Sequence, residues 1–261
     1  MVLPLQPPKF IDPAVRPGAR IALGQKIGVL GKEGGSGGWS HLHFDIWARQ
    51  PSGLWGIEEG YAFLWQSYER EHPRDLVAVA RPHALVWAGQ TVALDASRSR
   101  GRGLHYDWTF TDGGAARGDR VERVYDKPGA FSEILKITDE SGRVDYDFMT
   151  VQVIDRGHPE KPTPTIHAAY APTFGIRPGD PVVFKVRSFR DTTGGETWDF
   201  GDGSPAVTVK SDANAVRLAP TGYAETSHIY AKPGQYLASV EHVAANGVRA
   251  VARLQVRVGI D

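Results

Sequence analysis

Two histidines in one short stretch have the residue types and spacing of a metal site. His41 and His43 follow a glycine-rich segment at 34–38 and precede Asp45. If residues 40–47 form a β-strand, these three side chains share one face. Neighbouring residues on that face lie ~7 Å apart at Cα, close enough for two of them to converge on one ion or its bound water. The solvated face of any half-buried strand can carry such residues, so the spacing needs further context.

Composition limits the chemistry that the rest of the chain could supply. The 261 residues carry 30 Lys and Arg against 30 Asp and Glu, so the zero net charge predicts no attraction to nucleic acid or an anionic membrane. The absence of cysteine excludes disulfides, thiolate zinc sites and cysteine nucleophiles. Neither an export signal nor an apolar run of about eighteen residues is recognisable, so no membrane span is predicted. Any metal would need His, Asp or Glu ligands.

Residues 1–75 are predicted to form a β-sheet domain with one helix. The segment 20–31 predicts two strands broken at Gly24, and 40–48 predicts a third. A switch to helical spacing then places four apolar residues on one face, namely Tyr61, Leu64, Trp65 and Tyr68. Pro73 ends this helix. The apolar face is interpreted as core, with a ligand groove as the alternative.

The rest of the chain is an internal repeat. Two segments return 90 residues later and a third returns 105 residues later: GQTVAL at 89–94 as GDPVVF at 179–184, DWTFTDG at 107–113 as TWDFGDG at 197–203, and YDKPGAF at 125–131 as YAKPGQY at 230–236. The second copy therefore carries about fifteen extra residues between Gly203 and Tyr230.

Both copies consist of short Val-, Ile-, Phe- and Tyr-rich runs with period-two alternation, and about seven such strands are typical of a two-sheet sandwich. On the motifs above, the copies closely resemble the polycystic-kidney-disease (PKD) domain family, an immunoglobulin-like β-sandwich. The first copy is looser, with Thr111 where the second has Gly201. The resemblance implies sandwiches at 76–155 and 166–261, joined by a stiff proline-rich linker at 156–165. It implies extracytoplasmic spacer or interaction modules without catalysis.

Several motif residues are expected to have structural roles. Trp108 and Trp198 should fill the two cores. Asp199 and Asp202 should accept hydrogen bonds from turn amides, with calcium binding as the alternative. His228 is expected to bond the backbone or face water. Three arginines in the loop 97–103 favour a solvated loop, with contact to an anionic polysaccharide as the alternative.

The N-terminal segment has a second resemblance. Residues 15–31, the glycine-rich turn with Ser36, and HLHFDI at 41–46 resemble the C-terminal part of lysostaphin-type zinc metallopeptidases, which cleave peptide bonds in bacterial peptidoglycan. The resemblance implies that His43 is a zinc ligand and that His41 is a catalytic residue assisting the zinc-bound water or the oxyanion. It also implies two further ligands from an earlier His-x-x-x-Asp motif.

The expected ligand set is incomplete. No histidine precedes His41, and the one literal His-x-x-x-Asp joins His41 to Asp45. Their Cα atoms would lie ~13 Å apart in a strand, too far to share one ion. Two hypotheses follow: a longer gene product cut at an internal methionine, or a degenerate peptidase-like domain kept for binding.

These features together predict a mostly β protein with a partial peptidase sheet domain and two immunoglobulin-like sandwiches. We expect an extracytoplasmic, cell-wall-associated protein that resembles a peptidoglycan zinc metalloendopeptidase but is inactive as this chain. Zinc is the cofactor that the resemblance implies, and peptidoglycan or another cell-surface polymer or protein is the expected partner. The alternative function is a non-catalytic module that binds protein or polysaccharide.

Overall fold

A computed structural model describes residues 10–22, 24–29, 46–49, 55–58, 74–158, 163–213 and 222–260. Within these ranges all regular elements are strands, eighteen in number, and the fold is all-β. Residues 40–45 and the predicted helical face at 61–68 lie outside the described residues. None of the described elements is a helix long and apolar enough to span a bilayer.

The chain divides into two compact units, the first being Met1–Arg74 with Leu218–Thr221. In this unit two short antiparallel pairs are described: β1 (Phe10–Ile11) with β2 (Gly28–Val29), and β3 (Ile46–Arg49) with β4 (Trp55–Glu58). β3 overlaps the end of the strand predicted at 40–48.

The prediction of two strands at 20–31 was wrong in its first half. Residues 20–22 form no strand, and the Ala22 amide instead donates to the Gln25 side chain at 3.0 Å. Gly24 takes a positive φ of 78° in the turn that follows. Apolar alternation alone could not reveal that these residues close a turn before β2.

The second unit is Asp75–Arg217 with Gly222–Asp261, and it contains both sandwiches. The first sandwich has seven strands: β5 (Ala84–Trp87), β6 (Thr91–Asp95), β7 (His105–Thr109), β8 (Ala115–Arg117), β9 (Arg120–Val124), β10 (Gly129–Thr138) and β11 (Val144–Ile154). One sheet has the order β8-β7-β10-β11-β5, and the other pairs β6 with β9.

The second sandwich also has seven strands, but its first strand pairs with the second, whereas β5 pairs with β11. The strands are β12 (Thr165–Ala171), β13 (Pro181–Phe189), β14 (Glu196–Asp199), β15 (Val207–Val209), β16 (Ala224–Ile229), β17 (Gly234–Val243) and β18 (Arg249–Val258). Its sheets have the orders β15-β14-β17-β18 and β12-β13-β16. Trp108 is paired with Leu135, and Trp198 is paired with Val240 at the equivalent register. The pairing of the tryptophan strands therefore matches the sequence repeat.

The two tryptophans are fully buried, as predicted. Strand β6 shows how alternation builds the core, because Val92 and Leu94 are buried while Thr91 and Ala93 are exposed. In the second sandwich Trp198 packs beside Phe184 at 5.1 Å between ring centroids. The Trp108 indole also donates to the Gly118 carbonyl at 3.1 Å, so its polar atom is satisfied inside the core.

Candidate functional site

The two histidines predicted to do zinc chemistry, His41 and His43, lie outside the described residues. In the described ranges no group of three or more His, Asp or Glu side chains is arranged to hold a metal ion. The zinc site and its catalytic residue therefore stay predictions.

An aromatic stack surrounds the PKD-like motif of the second sandwich. The rings of Phe200 and His228 are parallel with centroids 4.1 Å apart, and His228 meets Tyr230 edge-on at 4.6 Å. The His228 ring also contacts the Asp202 carboxylate at 2.8 Å. The expected backbone partner of His228 is not the one found, because its stacked imidazole, 14% exposed, contacts a carboxylate instead.

The turn chemistry at Asp199 and Asp202 is as predicted. Asp199 accepts the Gly201 amide at 2.8 Å, and Asp202 accepts the Ser204 amide at 3.0 Å. Burial opposes ionisation of Asp202, but the hydrogen bonds from Ser204 and the contact with His228 hold its pKa below the usual value. Both carboxylates therefore stabilise turns.

The first sandwich has a buried carboxylate beside its own copy of the turn motif. Glu133 is fully buried and accepts the Tyr125 hydroxyl at 2.7 Å and the Thr111 amide at 2.6 Å. Burial and the negative charge of Glu133 raise the pKa of Tyr125 well above its ordinary range. Glu133 was not predicted from the sequence. The one indication was Thr111, which stands where the second copy has a glycine and so marked this end of the first copy as different.

A second buried polar cluster lies at the far end of the second sandwich. Glu196 accepts the Ser188 hydroxyl at 2.6 Å and the Ser211 amide at 2.9 Å. On the neighbouring strand the His242 ring faces Asp191 at 3.1 Å. The serines thus bond the glutamate while the imidazole faces a different carboxylate, unlike a nucleophile activated by its base. This cluster, which was not recognised from the sequence, joins β13 and β14 to the segment that follows β15.

A polar cleft of about 460 Å³ opens where the loops of the first sandwich meet. It is lined by Asp75, Gly101, Arg102, Asp139, Glu140, Ser141 and Arg143. Hydrogen bonds from Ser141 and Arg143 lower the pKa of Asp139 to about 2. Three carboxylates and two guanidinium groups make a mixed-charge surface, which suits hydroxyl-rich ligands better than a polyanion.

Comparison with solved structures finds proteins of low sequence identity. The Clostridium thermocellum CbhA fibronectin(III)-like modules share 12% identity over 70% of this chain and 92% of theirs, with a TM-score of 0.26. SGBP-B of the Bacteroides ovatus mixed-linkage glucan utilization locus shares 16% over 71% of this chain and 47% of its own, at 0.26. Carbohydrate-binding modules of the beta-sandwich super family share 15% over 69% and 100%, at 0.28.

Sequence-family comparison is more specific. Two family models, both described as PKD domain, match residues 76–153 and 166–258. These ranges coincide with the two sandwiches and with the repeated tryptophan and Lys-Pro-Gly motifs. The strand register and the buried tryptophans described above agree with this assignment. Through these two repeats the chain belongs to the PKD domain family.

Proposed function

We propose that this protein is an extracytoplasmic, cell-wall-associated module in which two PKD domains act as a non-catalytic spacer and binding unit. In this proposal they hold the N-terminal segment, with its lysostaphin-type resemblance, at a cell-surface polymer such as peptidoglycan.

The main support for the proposal is that the motif side chains are packed or hydrogen-bonded inside the two sandwiches. Trp108 and Trp198 fill cores, and the Tyr230 hydroxyl donates to the Phe200 carbonyl at 3.1 Å. The buried carboxylates of Glu133 and Glu196 accept bonds from interior donors. Groups held in this way stabilise the sandwiches and have no access to a substrate.

The ligand set does not fit a catalytic zinc ion. Such a site needs about three protein ligands and an open position for water. The resemblance supplies His43 alone, because no histidine precedes His41. We therefore propose that this chain binds zinc weakly and does not cleave peptidoglycan.

Metal analysis of the purified protein tests this part of the proposal. After dialysis we expect zinc well below one equivalent, and no product from cross-linked muropeptides. A His43→Ala variant should then retain as little zinc as the wild type. One tightly held equivalent that is lost in His43→Ala, together with muropeptide cleavage, would show that the protein is an active peptidase.

The polar cleft of the first PKD domain is the proposed polymer contact. Its volume is in the ligand-pocket range of about 300–1,000 Å³. Co-sedimentation with purified peptidoglycan should retain the wild-type chain, and Arg102→Ala should weaken retention. Arg117→Ala, which removes an exposed arginine on β8, is the matched control. Equal retention of all three proteins would remove the cleft from the proposal, and no retention of the wild type would argue against peptidoglycan.

A further inference from the structure

Strands β10 and β18 bring the two PKD domains into direct backbone contact. Ala130 and Ala250 pair across the domain boundary in a parallel bridge, and both are buried. Beside them, a Cβ atom added to Gly129 would lie 2.9 Å from the Arg249 carbonyl oxygen. Small residues on both strands therefore permit this close approach.

Arg253 of the second domain contacts the buried polar group of the first. Its guanidinium donates to the Thr111 hydroxyl at 2.8 Å and to the Ser132 carbonyl oxygen. Thr111 in turn bonds the fully buried Glu133. Burial lowers the pKa of Arg253 while the charge of Glu133 opposes that change. The second domain thus supplies a positive charge beside a carboxylate that the first domain buries.

A second set of contacts lies further along β18. Arg257 pairs with Asp145, whose side chain is 4% exposed, and Gln255 donates to the same carboxylate at 3.3 Å. Gln235 on the adjacent strand donates to the Val144 carbonyl at 3.1 Å. Arg253, Gln255 and Arg257 alternate along β18, so their side chains share one face of the strand.

The residues that make these contacts are positions at which the two repeats differ. The equivalents of Thr111, Glu133 and Asp145 in the second copy are Gly201, Ala238 and Ala250. The equivalents of Arg253, Gln255 and Arg257 in the first copy are Phe148, Thr150 and Gln152. Each domain therefore carries one half of an asymmetric, charge-complementary contact, which neither domain could make with a copy of itself.

We propose that Arg253, Gln255 and Arg257 form a docking face specific to Thr111, Glu133 and Asp145, which locks the two PKD domains into one rigid unit in fixed order. Domains joined by a flexible or merely extended linker would move independently unless a well-packed interface held them. Here Arg257 of the second domain pairs with Asp145 of the first, and Arg253 places a second positive charge near the buried Glu133. Separation of the domains would remove both cations from these carboxylates. The inference concerns the spacer and holds whether or not the chain binds a polymer.

Distance measurement between two spin labels on the whole chain tests whether the two PKD domains form one rigid unit. The sequence has no cysteine, so Glu122→Cys and Thr173→Cys, both at exposed positions, allow specific labelling of one site in each domain. We expect one narrow distance distribution. In Arg253→Ala/Arg257→Ala the distribution should broaden by about twofold or more. Arg117→Ala, which breaks an exposed pair with Asp107 inside the first domain, should leave it narrow.

A broad distribution in the wild type, or a narrow one in the double variant, would overturn the proposal. Circular dichroism establishes that each variant is folded, and if the double variant is not, Arg257→Ala alone decides by the same criterion. Neither zinc nor polymer takes part in the measurement, so its result is independent of the proposed function.

Discussion

Thr111 occupies in the first PKD domain the position that Gly201 occupies in the second, and the two residues meet the same carbonyl position in opposite ways. The Thr111 hydroxyl donates to the Ser132 carbonyl at 2.9 Å. At Gly201, a Cβ atom would lie 2.6 Å from the Leu237 carbonyl oxygen. The glycine of the second domain thus lets two backbone segments approach closely, whereas the threonine of the first domain places a hydroxyl at the domain boundary.

Gly201→Ala should destabilise the second domain. The φ of 76° and the close Leu237 carbonyl both oppose a side chain, so we expect a loss of about 3 kcal/mol in the free energy of unfolding. Gly203→Ala is the control, because its φ of 82° is similar but nothing lies near the added atom. That variant should lose about 1 kcal/mol in urea denaturation. Equal losses would contradict the steric explanation.

Tyr125→Phe should cost more stability than Tyr230→Phe. Both rings are buried, but the Tyr125 hydroxyl donates to the Glu133 carboxylate at 2.7 Å, whereas Tyr230 donates to a neutral carbonyl. Hydrogen bonds to charged groups contribute more, so we expect about 2 kcal/mol against about 1 kcal/mol. Denaturant titration of both variants measures the difference, and the reverse order would show that Glu133 does not depend on Tyr125.

Glu196→Ala should be among the most damaging single changes in the second domain. It would leave the buried Ser188 and Ser211 donors without their acceptor, at a cost of about 3–5 kcal/mol. Asp107→Ala, which breaks an exposed pair with Arg117, should cost less than about 1 kcal/mol. Thermal unfolding of the two variants gives the comparison. A loss in Glu196→Ala as small as in the control would mean that solvent satisfies these donors.

His83 predicts a pH dependence of the first domain. Partial burial of its ring and the Arg81 guanidinium lower the pKa from 6.5 to about 4, and the neutral ring accepts the Thr150 amide at 3.0 Å. Because the unfolded chain binds the proton more tightly, this contribution is complete above about pH 6.5 and is lost as the pH falls toward about 4. NMR titration of the ring measures the pKa directly.

The His83→Gln variant supplies the matching stability experiment. Unfolding followed between pH 7 and 4, a window set by the two pKa values, should depend less on pH in the variant than in the wild type. Identical profiles would show that His83 is not the group responsible.

Much of the fold could be predicted from the sequence because the repeat shows the same motif residues at equivalent positions in both copies. The tryptophans, the Asp-Gly turns and the alternating strands are local patterns, and the strand pairing of Trp108 and Trp198 agrees with them. Predictions that needed a partner from elsewhere in the chain were less successful. Residues 20–22 alternate like a strand but form none, and the His228 ring contacts the Asp202 carboxylate rather than the expected backbone group.

The sequence by itself determined the two sandwiches, their tryptophan cores and their turns, since burial alternation and glycine geometry act within a few residues. Only the tertiary structure decided which polar residues are buried, because Glu133 and Glu196 depend on donors brought from other strands. It also decided the domain contact, in which Arg253 and Asp145 act on partners more than a hundred residues away. Such pairings follow from how whole sheets dock, which no local pattern records.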